Sequence, residues 1–599
     1  MKKINRGAFL MQSLKASAGV LLTPSLLTKA SAMAQSPSLK DDLFNRMVLA
    51  NDTQVEKLLQ TNFDKREFSR KIGYDLGTLV ASYCCETSKY YHVPSLLAPL
   101  QKLSQHLLHA QTADGTVNVG NLESPPDTAF IVEIVTAAVF PLQKENSEAL
   151  SDLKGNLKTF LLKAGDGLIA GGVHTPNHRW VISAALARIN ALYPNKKYVD
   201  RIEDWLGEGI YINSDGNYPE RSRIYSYVEN TAFLTMARLL NKPSLFEPVK
   251  KNLDTTYYYM EPNGDLVAND SRRQDQYHFI QPDPNSPLSI LNYYMLYRYM
   301  AIRENNSTFA AIAIMMEQMK GFEERVLNRD MIYFLEEPLL QKELPAAVTP
   351  LVNYEKLFAQ SHLLRMRNGA ITTTFFGGVD WPIMIASGRS NSPDFYSYRK
   401  GNAILKYMRL STSFFSTGYF YSEGLKKAGN NYILHKKLTV PYYQPLPKKF
   451  RKTDGDYQLS PSIDDRFWNK MDFEHRPTSN VKTLETTISL SETNGSNELA
   501  FEVTGQAGVQ VTIELCFKEG GKLIGVSESE NGNSFLEQGM GQYEFGGDVI
   551  QFGPGTVSQK SIRNLEGERY SSHFGSLRTE GMHVYLTGLT PFTHKLTFS

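Results

Sequence analysis

A chain of 599 residues is longer than one hydrophobic core ordinarily serves, so two or more domains are expected. Its 64 Lys and Arg against 62 Asp and Glu leave a formal charge of +2, and without a basic excess a nucleic-acid partner is not indicated. Three cysteines, Cys84, Cys85 and Cys516, exclude a disulfide framework, since neighbouring Cys84 and Cys85 are poorly placed to bond each other.

Residues 1–34 read as an export signal. Lys2, Lys3 and Arg6 form a basic start, Ala16–Leu27 an apolar run too short to span a bilayer, and Ala30-Ser-Ala32 or Ala32-Met-Ala34 a small-residue cleavage site. The segment carries five basic residues and no acid, so its removal moves the formal charge from +2 to −3. An exported protein, periplasmic or secreted, is expected. No later stretch reaches eighteen uninterrupted apolar residues, and no membrane span is predicted.

From Leu39 to about Arg329 apolar residues recur at helical spacing, with Pro, Asn, Asp and Gly between segments. Short polar residues precede apolar runs at Asp75, Asp127, Asn177, Asn230 and Ser286, at intervals near fifty residues. A helical hairpin with two loops has that length, and such repeats must stack to bury their apolar faces. More amphipathic helices are expected between them, at Ser95–Ala110, Tyr198–Trp205 and Ser244–Leu253. The pattern predicts an (α/α) toroid over residues 35–334, incomplete or complete, with the repeated helices inside. Asp75, Asp127 and Asn230 are expected as N-caps around one cavity.

Residues 335–350, with several prolines, read as a linker. Over 351–599 the apolar period becomes two, at Ala370–Phe376, Ala403–Phe415, Asn431–Val440, Val481–Leu490, Glu498–Val503, Val509–Phe517 and Met582–Leu589. Turn signals at Asn494-Gly495, Asn531-Gly532 and Gly546-Gly547 separate these runs. The second domain is predicted to be a large antiparallel β-sandwich.

Candidate chemistry concentrates between His174 and Tyr227. Asn177-His178-Arg179-Trp180 opens one inner helix. Glu220-Arg221, then Tyr225 and Tyr227, lie at the mouth of the next, about one repeat away, which should make them spatial neighbours. A tyrosine donates a proton readily at neutral pH and serves as a base only beside positive charge. A second polar loop, Asn263–His278, offers Arg272 and Arg273 for bidentate binding of a carboxylate, or is an ordinary solvated turn.

Asn177-His178 at a helix start, followed by Asp215-Gly216…Glu220-Arg221-Ser222…Tyr225-Ser226-Tyr227, resembles the heparinase II/III-like and alginate-lyase-like polysaccharide lyases. The match spans about fifty positions, while the two-domain layout covers nearly the whole chain after the signal. The overall character also resembles polysaccharide lyase family 27, which releases rhamnose-capped glucuronate from arabinogalactan-type side chains. The resemblance implies a toroid joined to a β-sandwich, an acidic polysaccharide as substrate, and β-elimination at a uronate. Asn177 and His178 would then neutralise the uronate carboxylate or move a proton, and Tyr225 would act as acid or base.

Such families often place a histidine of the sandwich facing the toroid. The stretch 386–400 has none and offers Arg389, Tyr396, Tyr398 and Arg399 instead. With Arg179, Trp180, Glu220, Arg221, Tyr227, Arg272 and Arg273 these make up the expected substrate contacts. Two other functions are open: a glycoside hydrolase pairing Glu220 with Asp127 or Asp215, and a non-catalytic glycan-binding protein. No cofactor and no catalytic metal is predicted. Asp464-Asp465 or Asp270 with Asp275 offers at most an oxygen-rich calcium site.

Overall fold

The computed structural model describes residues 39–63, 67–278, 288–378, 393–461, 468–528, 533–556, 565 and 579–599. The export segment, Asn285 with Ser286, Arg389, Asp464 with Asp465, and Asn531 with Gly532 lie outside the described residues.

The helical half alternates outer and inner helices: α1 (Leu39–Leu59), α2 (Lys71–Cys84), α3 (Leu97–Ala110), α4 (Pro125–Leu142), α5 (Ser151–Ala170), α6 (Pro176–Leu192), α7 (Lys196–Gly207), α8 (Arg223–Leu239), α9 (Phe246–Thr256), α10 (Tyr294–Glu304) and α11 (Ser307–Glu317). Each of α2, α4, α6, α8 and α10 packs against the next, forming the inner ring, while α3, α5 and α7 pack along its outside. After α11 the chain runs back, so that α12 (Met331–Glu336) touches α1, α2 and α4. This is the toroid that the fifty-residue period predicted. The inner helices α4 and α6 are buried almost all round, as helices enclosed by an outer ring must be. Among the described helices only α4 is long and apolar enough to cross a membrane by length and composition, and here it is a buried member of the ring.

The expected caps are displaced. Ser124 caps α4 by accepting from the Asp127 backbone N–H at 3.3 Å, and Ser222 caps α8 through the Tyr225 N–H at 3.1 Å. Asp75 sits one turn inside α2, paired with Lys71 at 2.9 Å. Asn230 lies two turns inside α8, bonded to the Tyr218 hydroxyl and to Asn252, each at 2.8 Å. A polar residue before an apolar run therefore marks a buried hydrogen bond at Asn230 and a partly exposed ion pair at Asp75, not a helix entrance.

From Asn353 the chain is β. One antiparallel sheet pairs, in order, Asn353–Phe358, Leu363–Asn368, Ile371–Phe376, Tyr396–Lys400, Ala403–Thr412, Gln510–Phe517 and Met582–Leu589. The facing sheet contains Gly541–Phe545, Asp548–Gly553, Phe592–Phe598, Ser496–Gly505, Thr478–Thr493 and Asn431–Tyr443. Asn494 and Gly495, at φ of 52° and 85°, form a two-residue hairpin turn that requires positive φ at both positions. Side chains of period two from both sheets form the sandwich core. The three cysteines are free thiols.

The two halves share one apolar core, since Phe358, Leu363 and Phe376 of the first sheet join the core cluster of the helices. They also share a buried charge. Glu261, from the toroid, pairs with Arg365 at 2.8 Å and Arg399 at 3.1 Å on the sheet, and accepts from the Thr372 hydroxyl at 2.6 Å. Arg399, expected to contact substrate, is thus committed to holding the domains together. Burial alone would raise the Glu261 carboxyl, but Arg365 and Arg399 outweigh it and hold the group below its ordinary value.

Glu261→Ala should therefore strand the fully buried Arg365 and cost about 3–5 kcal/mol, read as a lower urea midpoint. A carboxyl depressed in the folded state stabilises above its unfolded pKa, about 4.3, and loses that contribution as pH falls through the folded value. Below about pH 4.3 the wild type should lose stability more steeply than Glu261→Gln.

Candidate active site

The candidate site is built at the mouths of α6 and α8 by two loops, residues 213–222 and 265–275. Gly216, at φ of +86°, turns the first loop, and a Cβ there would run into the Thr255 hydroxyl and the Lys251 carbonyl. Arg223 locks the two loops together. Its fully buried guanidinium donates to Asp270 at 2.9 Å and Asn217 at 3.1 Å, and lies 3.6 Å from the centre of the Tyr259 ring. Tyr259 in turn donates to Asp270 at 2.9 Å. Asp275 accepts from the Ser222 hydroxyl at 2.9 Å and the Arg223 N–H at 2.8 Å. Asp270 and Asp275, offered above as calcium ligands, are tied to these internal partners.

On that base stands a chain of contacts. Asn177, fully buried, donates through Nδ2 to Glu220 Oε2 at 2.6 Å. Glu220 Oε1 accepts from Arg273. The Arg273 guanidinium lies over the Tyr225 ring at 4.0 Å, and Gln274 Nε2 donates to the Tyr225 hydroxyl at 2.8 Å. Tyr225 is half-buried in the first turn of α8.

His178, in the first turn of α6, packs edge-on to His174 at 4.9 Å. Its pKa is pushed down to about 4, first by burial and then by the charges of His174 and Arg273, against the opposing pull of Asp127. It is a neutral imidazole at pH 7, with Nδ1 buried and lacking a hydrogen-bond partner among the described residues. Asp127 faces the same mouth and pairs with Arg70, while accepting from Asn121 at 2.8 Å. Burial acts to raise its carboxyl, but these hydrogen bonds hold it below the ordinary value.

Asn177, His178, Glu220 and Tyr225 thus lie together at neighbouring helix mouths, and the second loop adds Arg273 to them. Other expected contacts do not join them. Trp180 is 2% exposed and packs on Phe233 at 5.0 Å, a core residue of the ring. Arg179 is drawn outward to Glu208 on the outer side. Tyr227, two residues further along α8, turns away from Tyr225 and packs against Tyr293 at 5.7 Å.

Arg272 binds the Pro219 carbonyl at 3.0 Å and positions the loop. Tyr396 and Tyr398 point into the sandwich, where the Tyr396 hydroxyl accepts from Asn497 Nδ2 and the Tyr398 hydroxyl donates to the Gly495 carbonyl, each at 2.9 Å, and they cannot meet substrate. The segment 396–400 alternates inward Tyr with outward Ser and Arg, a strand signature.

Arg221 has φ of +47°, a left-handed conformation costing about 1–3 kcal/mol. The turn sends Glu220 into the toroid mouth and Arg221 out to the sandwich, where it donates to the Gln360 carbonyl at 3.1 Å. The Gln360 N–H donates back to Asp215 at 2.7 Å. Asp215 is therefore an interface residue and Asp127 an ion-pair partner of Arg70, so neither stands as a free acid opposite Glu220.

Beside this contact lies His362, which sequence reasoning missed. Its pKa is lowered by burial and then by Arg221, with Asp215 opposing. It is the first histidine of the β region, in the turn of the first hairpin, whereas the search had gone to residues 386–400. Glu229, fully buried beneath Glu220 on α8, was also missed; burial and the Glu220 charge push its carboxyl far above the ordinary range. Among the described residues no group of three or more His, Cys, Asp and Glu side chains is arranged to hold a metal ion.

No family model matches the chain, and no curated protein sequence matches it. Solved structures do. The chain is similar to heparinase III, with a TM-score of 0.53 and 12% identity over 90% of this chain and 78% of that one. It is similar to the chondroitin AC lyase of Streptomyces coelicolor A3 (TM-score 0.51, 14% identity, 99% of this chain and 82% of that one). It is also similar to a xanthan lyase of Paenibacillus (TM-score 0.52, 10% identity, 94% of this chain and 57% of that one). The likeness is one of fold: a helical toroid followed by a β-sandwich.

The burial of His178 carries a measurable consequence. Its ring resonances in NMR should titrate with a midpoint near 4, against about 6.5 for a free histidine. Asp127→Asn removes an opposing negative charge and should lower the midpoint further; Arg273→Ala removes a like charge and should raise it. A midpoint between 6 and 7 would show a solvated ring and sink this description.

Proposed function

We propose that the protein is a polysaccharide lyase that cleaves a uronic-acid glycoside by β-elimination, leaving a 4,5-unsaturated uronate. The observation that carries this reading is Tyr225, held between the Arg273 guanidinium and the Gln274 amide at a helix mouth, with neutral His178 on the neighbouring mouth. Toroid-and-sandwich lyases such as heparinase III and chondroitin AC lyase share the fold.

The reaction removes the proton on C5, moves that electron pair into a C4=C5 double bond, and expels the C4 oxygen, which takes up a proton. The C5 proton is weakly acidic until the adjacent carboxylate is neutralised and the developing enolate has fixed donors. Arg273 supplies positive charge, His178 a neutral N–H, and the N-terminus of α6 its dipole. Asn177 serves this arrangement from below, because its amide N–H is spent on Glu220, which fixes Arg273.

Tyr225 meets the proton transfers. Gln274 donates to its oxygen and Arg273 lies over its ring, so charge developing on that oxygen is stabilised from two sides. Its own proton is free to reach a leaving oxygen. As a phenolate it takes the C5 proton and, when the leaving oxygen lies on the same face of the sugar, passes that proton to it; as a phenol it protonates the leaving oxygen while a second base takes the C5 proton.

From the resemblance in sequence we favour rhamnose-α-1,4-glucuronate units of arabinogalactan-type glycans as substrate, met outside the cytoplasm by an exported enzyme. The test is ultraviolet absorbance of the conjugated uronate on incubation with glucuronate-bearing arabinogalactan, alginate, and heparan or chondroitin chains. Absorbance should grow with at least one of them, and Tyr225→Phe should lower the rate by about 10²–10⁴-fold. New reducing ends without that absorbance, abolished by Glu220→Gln, would establish a hydrolase instead. Saturable binding with no product of either kind would leave a glycan-binding protein.

A further inference from the structure

Below the mouths of the inner helices the toroid is not filled. A cavity of about 280 Å³ follows its axis between α2, α4, α6, α8 and the segment 325–333. It is lined from Ile224, in the first turn of α8, down to Thr235, about 16 Å along the helix at 1.5 Å per residue. Arg70 stands at its rim, where the same side chain pairs with Asp127 of the candidate site. Well and site are therefore continuous.

The lining is polar and open to solvent: Tyr74 and Arg329 are exposed, and Tyr227, Tyr333, Glu133 and Asp330 are half-buried. Tyr74, Tyr227, Tyr333, Glu133, Arg329 and Asp330 all face the cavity, and none makes a side-chain hydrogen bond or ion pair with another described residue. Only a ring contact, Arg329 to Tyr74 at 5.1 Å, links any two of them directly. Six such side chains around one cavity can turn their hydrogen-bonding groups to an occupant. Arg329 offers only donors, Glu133 and Asp330 offer acceptors, and the tyrosines offer both.

A bare anion would ask for donors throughout and an apolar guest for neither. A ring bearing several hydroxyls meets the mixture, and the faces of Tyr74 and Phe130 give it aromatic surface to rest on. The volume suits a single pyranose.

We propose that this axial well is a saccharide subsite that takes one hydroxyl-rich pyranose residue of the glycan next to the one held at Tyr225. The assignment rests on the lyase reading for what lies next door, but not for the binding itself. Burial lifts Asp330 to about 7 against the pull of Arg329, so the balance of donors and acceptors in the well shifts near neutral pH.

The test uses the full chain and binding alone, so that it stands apart from any elimination. Methyl glucuronide and methyl glucoside are titrated separately, with saturation-transfer NMR as readout. At least one should bind the wild type. Arg329→Ala and Tyr74→Ala, both at side chains exposed to the cavity, should each weaken it about tenfold or more, the loss of a charge-assisted hydrogen bond or a stacking face. Ala185→Leu, which narrows the lower well, should do the same if the fold is kept, as judged by its far-ultraviolet circular dichroism. Lys196→Ala, an exposed residue at the start of the outer helix α7, should leave this binding within about twofold.

Binding of the glucuronide only or the glucoside only tells an acidic from a neutral sugar, and either supports the subsite. No binding of either up to tens of millimolar would overturn it. So would binding lost in His178→Ala and kept in Arg329→Ala and Tyr74→Ala. A protein that binds here yet never yields the unsaturated uronate would lose the lyase reading and keep the subsite.

Discussion

The candidate site depends on one buried cation. Arg223 begins α8 with its guanidinium fully enclosed, and its partners are Asp270 from one loop, Asn217 and the Arg221 carbonyl from the other, and the ring of Tyr259 just before the second loop. A charge taken out of water at this depth is tolerated only when its partners are all in place, and removing one costs about 3–5 kcal/mol. The loops are therefore fixed relative to each other, although neither has regular structure. Glu220 lies three residues before Arg223, and Arg273 three after Asp270. The ion pair between Glu220 and Arg273 is the outward copy of the buried pair beneath it, held in register by it.

The same segment ties the site to the second domain. Strain at Arg221 buys two opposite directions for neighbouring side chains, one into the ring and one onto the sheet. Glu261 secures the sheet to the toroid with a buried charge of its own. Because the apolar core also runs through the junction at Phe358, Leu363 and Phe376, the sandwich is a wall of the site and not a tethered appendage. That is why His362, far from residue 178 in sequence, feels the charge of Arg221.

The ring was legible because a helix in a double shell has a distinctive pattern: α4 and α6 apolar all round, α7 and α9 on one face. Asn177, Glu220 and Tyr225 were legible because one repeat brings equivalent positions side by side. What sequence hid were partners. Arg179 and Arg273 look alike on the page, yet one is claimed by Glu208 and the other by Glu220, a choice made by three-dimensional proximity. Asn230 and Asp75 imitate N-caps because a polar residue amid apolar ones is equally what a buried hydrogen bond or a partly exposed ion pair requires. Trp180, Tyr396 and Tyr398 imitate sugar platforms because an aromatic ring serves a core as well as a cleft. The alternation Tyr396-Ser-Tyr398-Arg399 did carry a strand signal, outweighed by the search for a site there.

Charge at the mouth is set by what stays uncharged. Glu229 lies under Glu220, and two ionised carboxylates so placed would repel each other and weaken the hold on Arg273. Burial and the Glu220 charge together keep Glu229 protonated, so Glu220 meets Arg273 as a single charge. His178 obeys the same logic from the other side: beside Arg273 and Arg70, and half-buried, it gives up its proton long before pH 7. The mouth therefore presents Arg273 already matched by Glu220, a neutral imidazole, and a tyrosine hydroxyl. The positive charge of Arg273 lies over the Tyr225 ring.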